Sequence, residues 1–214
     1  VSPLALVTSV QSAQRSIQAG EAYFIYGKGK DANVSPWVDE SVQVKRDPRS
    51  ALAVLFGLRL GLEPSRFRGS LPACNEGGLC VSESDRVISK LGAGDAGLAF
   101  MPTAEVERNL SDVKPLAFQA LGQRGAFYPD RTYDKKMTSK DKRNVREGRY
   151  PLWGHLHVIA KADSNDPKKP IAVAQRLVEI LQGGGAAVDG EDALVPLVRN
   201  GYVPQCAMSV NRSS

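Results

Sequence analysis

The stretch Leu4-Ala5-Leu6-Val7 decides the fold class, because this short apolar run predicts a strand at the beginning of the sequence. A helical pattern follows between Ser9 and Tyr26 and ends near Gly27-Lys28-Gly29. Val42-Gln43-Val44-Lys45 then alternates as a second strand. This succession of strand and helix patterns predicts an α/β fold.

The strongest helix signal is Asp47-Pro48-Arg49-Ser50. Aspartate is favoured at the N-cap and proline at the first helical position, so we expect Asp47 to cap the helix. Apolar residues then occupy nearly every direction around the helix axis, which predicts a buried helix. These residues are Ala51, Leu52, Val54, Leu55, Phe56, Leu58, Leu60 and Leu62.

The alternation continues to the end of the sequence. We expect a helix through Val87 and Leu91, strands at 96–100, 113–118 and 152–160, and helices at 170–182 and 189–199. The pattern becomes helical after Ala162. We therefore place an approximate boundary there, which divides the chain into residues 1–162 and 163–214.

Composition narrows the classes of function. The 214 residues are 42% hydrophobic and 24% charged, and no apolar run approaches the ~20 residues of a membrane span. Residues 130–149 contain much of the positive charge, but acidic residues are interspersed and we expect no nucleic-acid partner. The sequence has no nucleophile elbow, P-loop, HExxH or paired carboxylates at a defined spacing. We therefore expect a protein that is not an enzyme and needs no cofactor.

The cysteines and histidines leave alternatives open. Cys74 and Cys80 enclose a Gly-rich turn, which suits a small disulfide loop in an oxidising compartment, whereas a zinc half-site is the competing reading. Cys206 stands apart and is either free or paired with a cysteine outside this sequence. His155 and His157 share one face of a predicted strand, where a solvent-facing pair is favoured over a metal site.

Three stretches together resemble the phosphate-type substrate-binding proteins of ABC transporters. Gly94-Asp95-Ala96-Gly97-Leu98-Ala99-Phe100 is similar to the small-residue strand of that family. Gly148-Arg149-Tyr150-Pro151-Leu152 is similar to the motif that leads into its long hinge strand, and Gly201-Tyr202-Val203-Pro204 to a motif near its C-terminus. Their order and spacing span most of the chain.

The resemblance implies a type II periplasmic-binding fold, with a mixed sheet flanked by helices. Residues 1–162 would form the second lobe with its hinge strands, and residues 163–214 would return as helices to the first lobe. The N-terminal part of such a protein is then expected to precede Val1. Ile171, Leu177, Val178 and Leu181 are accordingly expected to face a surface that this chain does not supply.

The resemblance also implies a ligand site, where an arginine and a helix start hold a tetrahedral oxyanion. Arg46 and Ser50 match that pattern, and Arg49 offers an additional guanidinium. Ala51 and Leu52 replace the family's Gly and Thr, which removes a hydroxyl donor and crowds the backbone. We expect Arg46→Ala to weaken oxyanion binding if this site is used.

Two functions follow from the resemblance. The first is an exported periplasmic or extracellular protein that captures a small anion such as phosphate for an ABC transporter permease. The second is a ligand-free structural or interaction subunit of a cell-surface assembly, with other chains as its partners. The altered helix start at Ala51 and Leu52 favours the structural or interaction subunit. The frequency of solute receptors within the family favours the anion-binding protein.

The cysteine loop gives a testable prediction. Seven residues with two glycines are flexible enough to close, so we expect Cys74 and Cys80 to be disulfide-bonded. A crystal structure of unreduced protein should show their sulfurs about 2.05 Å apart. A clearly longer separation would contradict the prediction.

Overall fold

The computed structural model describes residues 1–72, 84–129, 142–155, 170–181 and 194–210. The strands are β1 Ser2–Ser9, β2 Ser16–Gln18, β3 Ala99–Pro102, β4 Val113–Pro115, β5 Ala117–Gln119 and β6 Trp153–Gly154. The helices are α1 Ala19–Lys28, α2 Ala51–Leu60, α3 Ser84–Leu91, α4 Thr103–Arg108, α5 Arg143–Arg146, α6 Pro170–Leu181 and α7 Leu194–Arg199. This arrangement confirms the predicted α/β class.

Strand β1 is the centre of the main sheet. It pairs antiparallel with β3 along Leu4–Val7, with β4 at Val7–Ser9 and with β6 at Ser2–Pro3. A second, two-stranded sheet is parallel and joins β2 to β5. The structure therefore contains both antiparallel and parallel pairings, as the expected mixed architecture requires.

Helices cover both faces of the main sheet, because side chains of β1 alternate between two apolar clusters. Leu4 and Leu6 pack in a cluster with residues of α1 and α2. Ala5 and Val7 pack in another with residues of α3 and α4. All four β1 side chains are fully buried, which explains why the opening run is apolar without alternation.

Several predicted boundaries were wrong. The pattern at Ser9–Tyr26 contains the short strand β2, and helix α1 begins only at Ala19. The predicted strand at 42–45 forms only single bridges, at Gln43 and Val44. Of the predicted strand at 152–160, β6 covers two residues, and 156–160 lie outside the described residues.

Helix α2 is not buried on every side, contrary to the prediction. Phe56 and Ala53 are fully buried, but Val54 is 43% exposed and Leu58 is 72% exposed. The helix packs on the sheet through one face, and no described element covers the opposite one. The apolar composition of α2 predicted that protein would pack against every side of the helix. The described residues leave one side uncovered.

The C-terminal elements return to the beginning of the chain. The backbones of Val1 and Val203 exchange two hydrogen bonds, of 2.6 and 3.0 Å. Leu177 of α6 is 43% exposed and Val178 is half-buried. The side chains of Ile171 and Leu181 lie outside the described residues, so the proposed cover over this stripe stays a prediction. Within the described ranges, no helix combines the length and apolarity needed to cross a bilayer.

A buried ion pair joins α4 to the turn before α5. The ammonium group of Lys142 contacts the carboxylate of Glu107, and the two side chains are 1% and 14% exposed. Taking charges out of water is costly, and the contact between the two groups offsets part of that cost.

Replacing Lys142 by methionine tests this contact. Lys142→Met keeps the side-chain length but removes the cation in contact with the buried Glu107 carboxylate, so we expect the free energy of unfolding to fall by about 3–5 kcal/mol. Arg143→Met is the control, because Arg143 is 47% exposed in its pair with Glu147 and should cost no more than about 1 kcal/mol. Urea titrations of both variants give the values, and equal losses would contradict the assignment.

Candidate functional site

The predicted oxyanion site lies at the N-terminal end of α2, where the helix cap differs from the expectation. Ser50 is the N-cap residue, and its hydroxyl oxygen accepts a hydrogen bond from the Ala53 amide at 3.2 Å. Asp47 was predicted as the cap, which was wrong. Its carboxylate instead accepts from the Arg49 amide at 2.9 Å, within the turn that precedes the helix.

Arg49 lies at the surface with its side chain 85% exposed. Its Nε and Nη2 atoms donate to the two carboxylate oxygens of Asp47 at 3.0 and 2.8 Å. These hydrogen bonds lower the pKa of Asp47 to about 2, so the carboxylate stays charged under ordinary conditions. The negative charge of Asp47 therefore stands beside the guanidinium that was expected to hold an anion.

Arg46 is part of the protein core and is only 5% exposed. Its Nε donates to the Phe100 carbonyl at 3.1 Å, and the guanidinium carbon lies 5.8 Å from the centroid of the Phe100 ring. Burial lowers the pKa of Arg46 to about 10, with nearby Tyr26 and Glu105 acting in the opposite direction. A role in positioning β3 explains this geometry without a ligand.

The structure therefore places Arg49 and Ser50 together at the helix start but directs Arg46 into the core. Each of the three side chains has a protein partner. The helix start remains a proposed ligand site, and the contacts seen there are those of a turn, a cap and a core residue.

A second location concentrates positive charge in a cavity of about 470 Å³. We call it the basic pocket, and the basic residues of its lining are Lys28, Lys45, Arg66 and Arg68. The remaining lining residues are Gly27, Glu40, Ser65, Phe67 and Gly69. Four cations and one carboxylate leave the basic pocket with a net charge of +3.

Phe67 fixes the wall that carries the two arginines. Its ring is 2% exposed and packs 5.7 Å from Tyr26 and 5.9 Å from Phe56, measured between centroids. Arg66 and Arg68 flank it and are both exposed, because neighbouring side chains point in opposite directions along an extended backbone. The Arg68 amide also donates to the Tyr26 carbonyl at 2.7 Å, which ties this wall to α1.

Two glycines allow the walls of the basic pocket to approach. Gly69 has φ +101°, and a Cβ there would lie 2.4 Å from the Gln43 carbonyl oxygen. Gly29, with φ +60°, lies under Glu40, whose carboxylate oxygen would be 2.0 Å from a Cβ. A side chain at position 69 would force the backbone of Gln43 away, and one at position 29 would displace the Glu40 carboxylate.

Most polar contacts in the basic pocket leave donors available. Lys45 donates one hydrogen bond to the Phe67 carbonyl at 2.9 Å and keeps further N–H groups. Glu40 accepts from the Lys30 amide at 2.7 Å. Within the described part of the chain, the side chains of Lys28, Arg66 and Arg68 form no ion pair. The cavity thus gathers cations that form no ion pair with a described carboxylate.

Sequence reasoning missed the basic pocket because its cations come from three separate segments. Arg66-Phe67-Arg68 alternates charged and aromatic residues, and this local signal could have indicated one charged wall. Lys28 and Lys45 join it only through the packing of α1 and the Gln43–Ser70 backbone contact.

A metal site finds no support among the residues the structure describes, which contain no group of three potential ligands. His155 is exposed and its ring lies 5.7 Å from that of Trp153, while His157 lies outside the described ranges. Cys206 is an exposed, free thiol, and Cys74 and Cys80 lie outside the described ranges.

Replacing Arg46 separates a structural role from ligand binding. Arg46→Ala removes the donor to the buried Phe100 carbonyl, so we expect the free energy of unfolding to fall by about 1–3 kcal/mol. Arg49→Ala should leave it nearly unchanged, because this side chain is at the surface. Urea denaturation measures both. Unchanged stability of Arg46→Ala together with lost oxyanion affinity would instead support the predicted site.

Comparisons with known proteins give a distant likeness in structure and no match in sequence. No family model matches the chain, and no curated protein sequence matches it. The crystal structure of a possible phosphate binding protein from Planctomyces limnophilus DSM 3776 is similar at 17% identity with a TM-score of 0.48. The overlap covers 71% of this chain and 50% of that one, so this chain matches half the length of that protein. A likeness of this size establishes neither a shared fold nor a shared ligand.

Proposed function

We propose that this chain belongs to a non-catalytic binding protein for small oxyanions and that the basic pocket holds the ligand. The observation that carries the proposal is the convergence of Lys28, Lys45, Arg66 and Arg68 on one cavity. Like charges gathered in a concave space create a positive potential that attracts an anion. An oxyanion would supply the missing counter-charge and accept hydrogen bonds from the guanidinium groups.

Binding without turnover fits the lining of the basic pocket. Besides its two lysines, whose positive charge would pair with an anion, Glu40 and Ser65 are the members of the lining that could transfer a proton or attack a substrate. One oxygen of Glu40 already accepts the Lys30 amide, and no hydrogen bond links Ser65 to a base in the described structure. These features support a receptor in preference to an enzyme.

The finer parts of the proposal come from the sequence motifs. The resemblance to phosphate-type substrate-binding proteins supports an oxyanion as ligand, a type II binding fold, export, and delivery to an ABC transporter permease. The start of α2 is the weaker of the two locations, because Asp47 places a carboxylate there and Arg46 is buried. The basic pocket combines net positive charge with accessible donors.

The alternative function is an interaction subunit that binds no solute. The exposed apolar face of α2 favours it, since Val54 and Leu58 are adjacent on one side of the helix and 43% and 72% exposed. Exposed apolar patches often mark protein interfaces. Under this alternative the cations of the basic pocket are ordinary surface charges.

Removing the two pocket arginines distinguishes these functions. We expect Arg66→Ala/Arg68→Ala to weaken orthophosphate binding at least about tenfold, equivalent to about 1.4 kcal/mol, in isothermal titration calorimetry at low salt. Both side chains are exposed, so the melting temperature should change little. Arg124→Ala is the control, because it removes an exposed arginine outside the basic pocket.

Two results would contradict the proposal. Absence of binding by the unaltered protein at millimolar orthophosphate, sulfate or arsenate would favour the interaction subunit. Binding that survives in Arg66→Ala/Arg68→Ala but is lost in Arg49→Ala would show that the ligand binds at the start of α2 instead of in the basic pocket.

A further inference from the structure

We infer that the ligand of the basic pocket carries at least two linked anionic groups, as in a condensed phosphate such as pyrophosphate or tripolyphosphate. This inference rests on the proposed function and names its ligand class. The charge of the basic pocket, its volume and the placement of its cations on three segments each support the inference.

The charge of the basic pocket exceeds that of one phosphoryl group. A phosphate monoester carries about −1.5 to −2 at pH 7, whereas the four cations and one carboxylate of the basic pocket leave a net charge of +3. A second phosphoryl group on the same ligand would neutralise the remainder without the entropy cost of binding another molecule.

The cavity is also larger than a single oxyanion requires. Its volume of about 470 Å³ falls in the ~300–1,000 Å³ range typical of sites for small molecules. Orthophosphate would contact one part of such a cavity and leave the other cations solvated. A linear chain of phosphoryl groups can contact several of them.

The cations are arranged on different walls. Arg66 and Arg68 lie on either side of the buried Phe67 and form one wall. Lys28 extends from the end of α1, and Lys45 is held beside Phe67 by its hydrogen bond to that carbonyl. Cations carried by three separate segments suit a ligand whose negative charges are also distributed.

The arrangement favours a condensed phosphate over a nucleic-acid strand. Proteins that bind single-stranded nucleic acid combine a basic groove with aromatic side chains on which bases stack. Phe67 is the aromatic residue of this lining, and its ring is 2% exposed because it packs in the core. The basic pocket therefore offers contacts to phosphate groups and no surface for a base.

The carboxylate of Glu40 repels an anionic ligand, so removing its charge tests whether electrostatic attraction controls the affinity of the basic pocket. This carboxylate lies in the same lining as the cations and is held by the Lys30 amide. Glu40→Gln retains an oxygen that can accept that hydrogen bond but removes the repulsion of an anion. Affinity for pyrophosphate should rise about threefold or more, and the gain should diminish as salt concentration increases.

The experiment compares ligands of increasing charge on the full 214-residue chain. Calorimetry at constant ionic strength should give pyrophosphate and tripolyphosphate dissociation constants at least ten times lower than that of orthophosphate. Lys28→Ala should reduce pyrophosphate affinity at least fivefold and orthophosphate affinity by a smaller factor, since only the longer ligand reaches both walls. Arg124→Ala serves as the charge-matched control and should alter neither.

Each adverse result has a distinct meaning. Equal affinities for orthophosphate and pyrophosphate, both lost in Arg66→Ala/Arg68→Ala, would overturn this inference and leave the proposed function in place. Pyrophosphate affinity that survives in that double variant would overturn the inference too. If an oligodeoxynucleotide binds more tightly than tripolyphosphate, the inference is overturned and the ligand is a nucleic acid. No binding of any of these anions would overturn both the inference and the proposed function.

Discussion

The packing of four aromatic rings organises both locations considered for a ligand. Phe56 and Phe100 are stacked with centroids 4.4 Å apart, and Tyr26 and Phe67 pack around them. This cluster joins α1, α2, β3 and the segment after α2. It also decides which cations reach solvent, because Phe67 directs its neighbouring arginines outward while the Phe100 carbonyl and ring hold Arg46 inside.

The fold class was accessible from sequence because β1 and the helices have strong local patterns. The run Leu4–Val7 is buried on both faces, and a doubly covered strand needs no polar alternation. Boundaries failed where local rules compete. Asp47-Pro48 satisfied the rules for a helix start, but Asp47 bonds Arg49 and the helix begins after Ser50. The exposed side of α2 could not be predicted, since composition does not specify how many layers surround a helix.

The location of the basic pocket could not be predicted for a different reason. A site formed along one segment leaves a motif, whereas Lys28, Lys45 and the two arginines meet only after α1 and the segment following α2 pack together. Arg46, Arg49 and Ser50, which the sequence predicted as the ligand site, lie close together along the chain. In the structure Arg46 is buried in the core, whereas Arg49 is exposed. Arg46 became a core residue because an unpaired carbonyl of β3 needs a donor, a requirement that sequence alone does not reveal.

The central claim is that an oxyanion binds among the cations around Phe67. The most direct test is a crystal of the protein grown with tungstate, whose metal gives a strong anomalous signal. We expect an anomalous difference peak within hydrogen-bonding reach of Arg66 or Arg68 and of Lys28 or Lys45. A peak at the start of α2 beside Ser50, with no peak in the basic pocket, would contradict it.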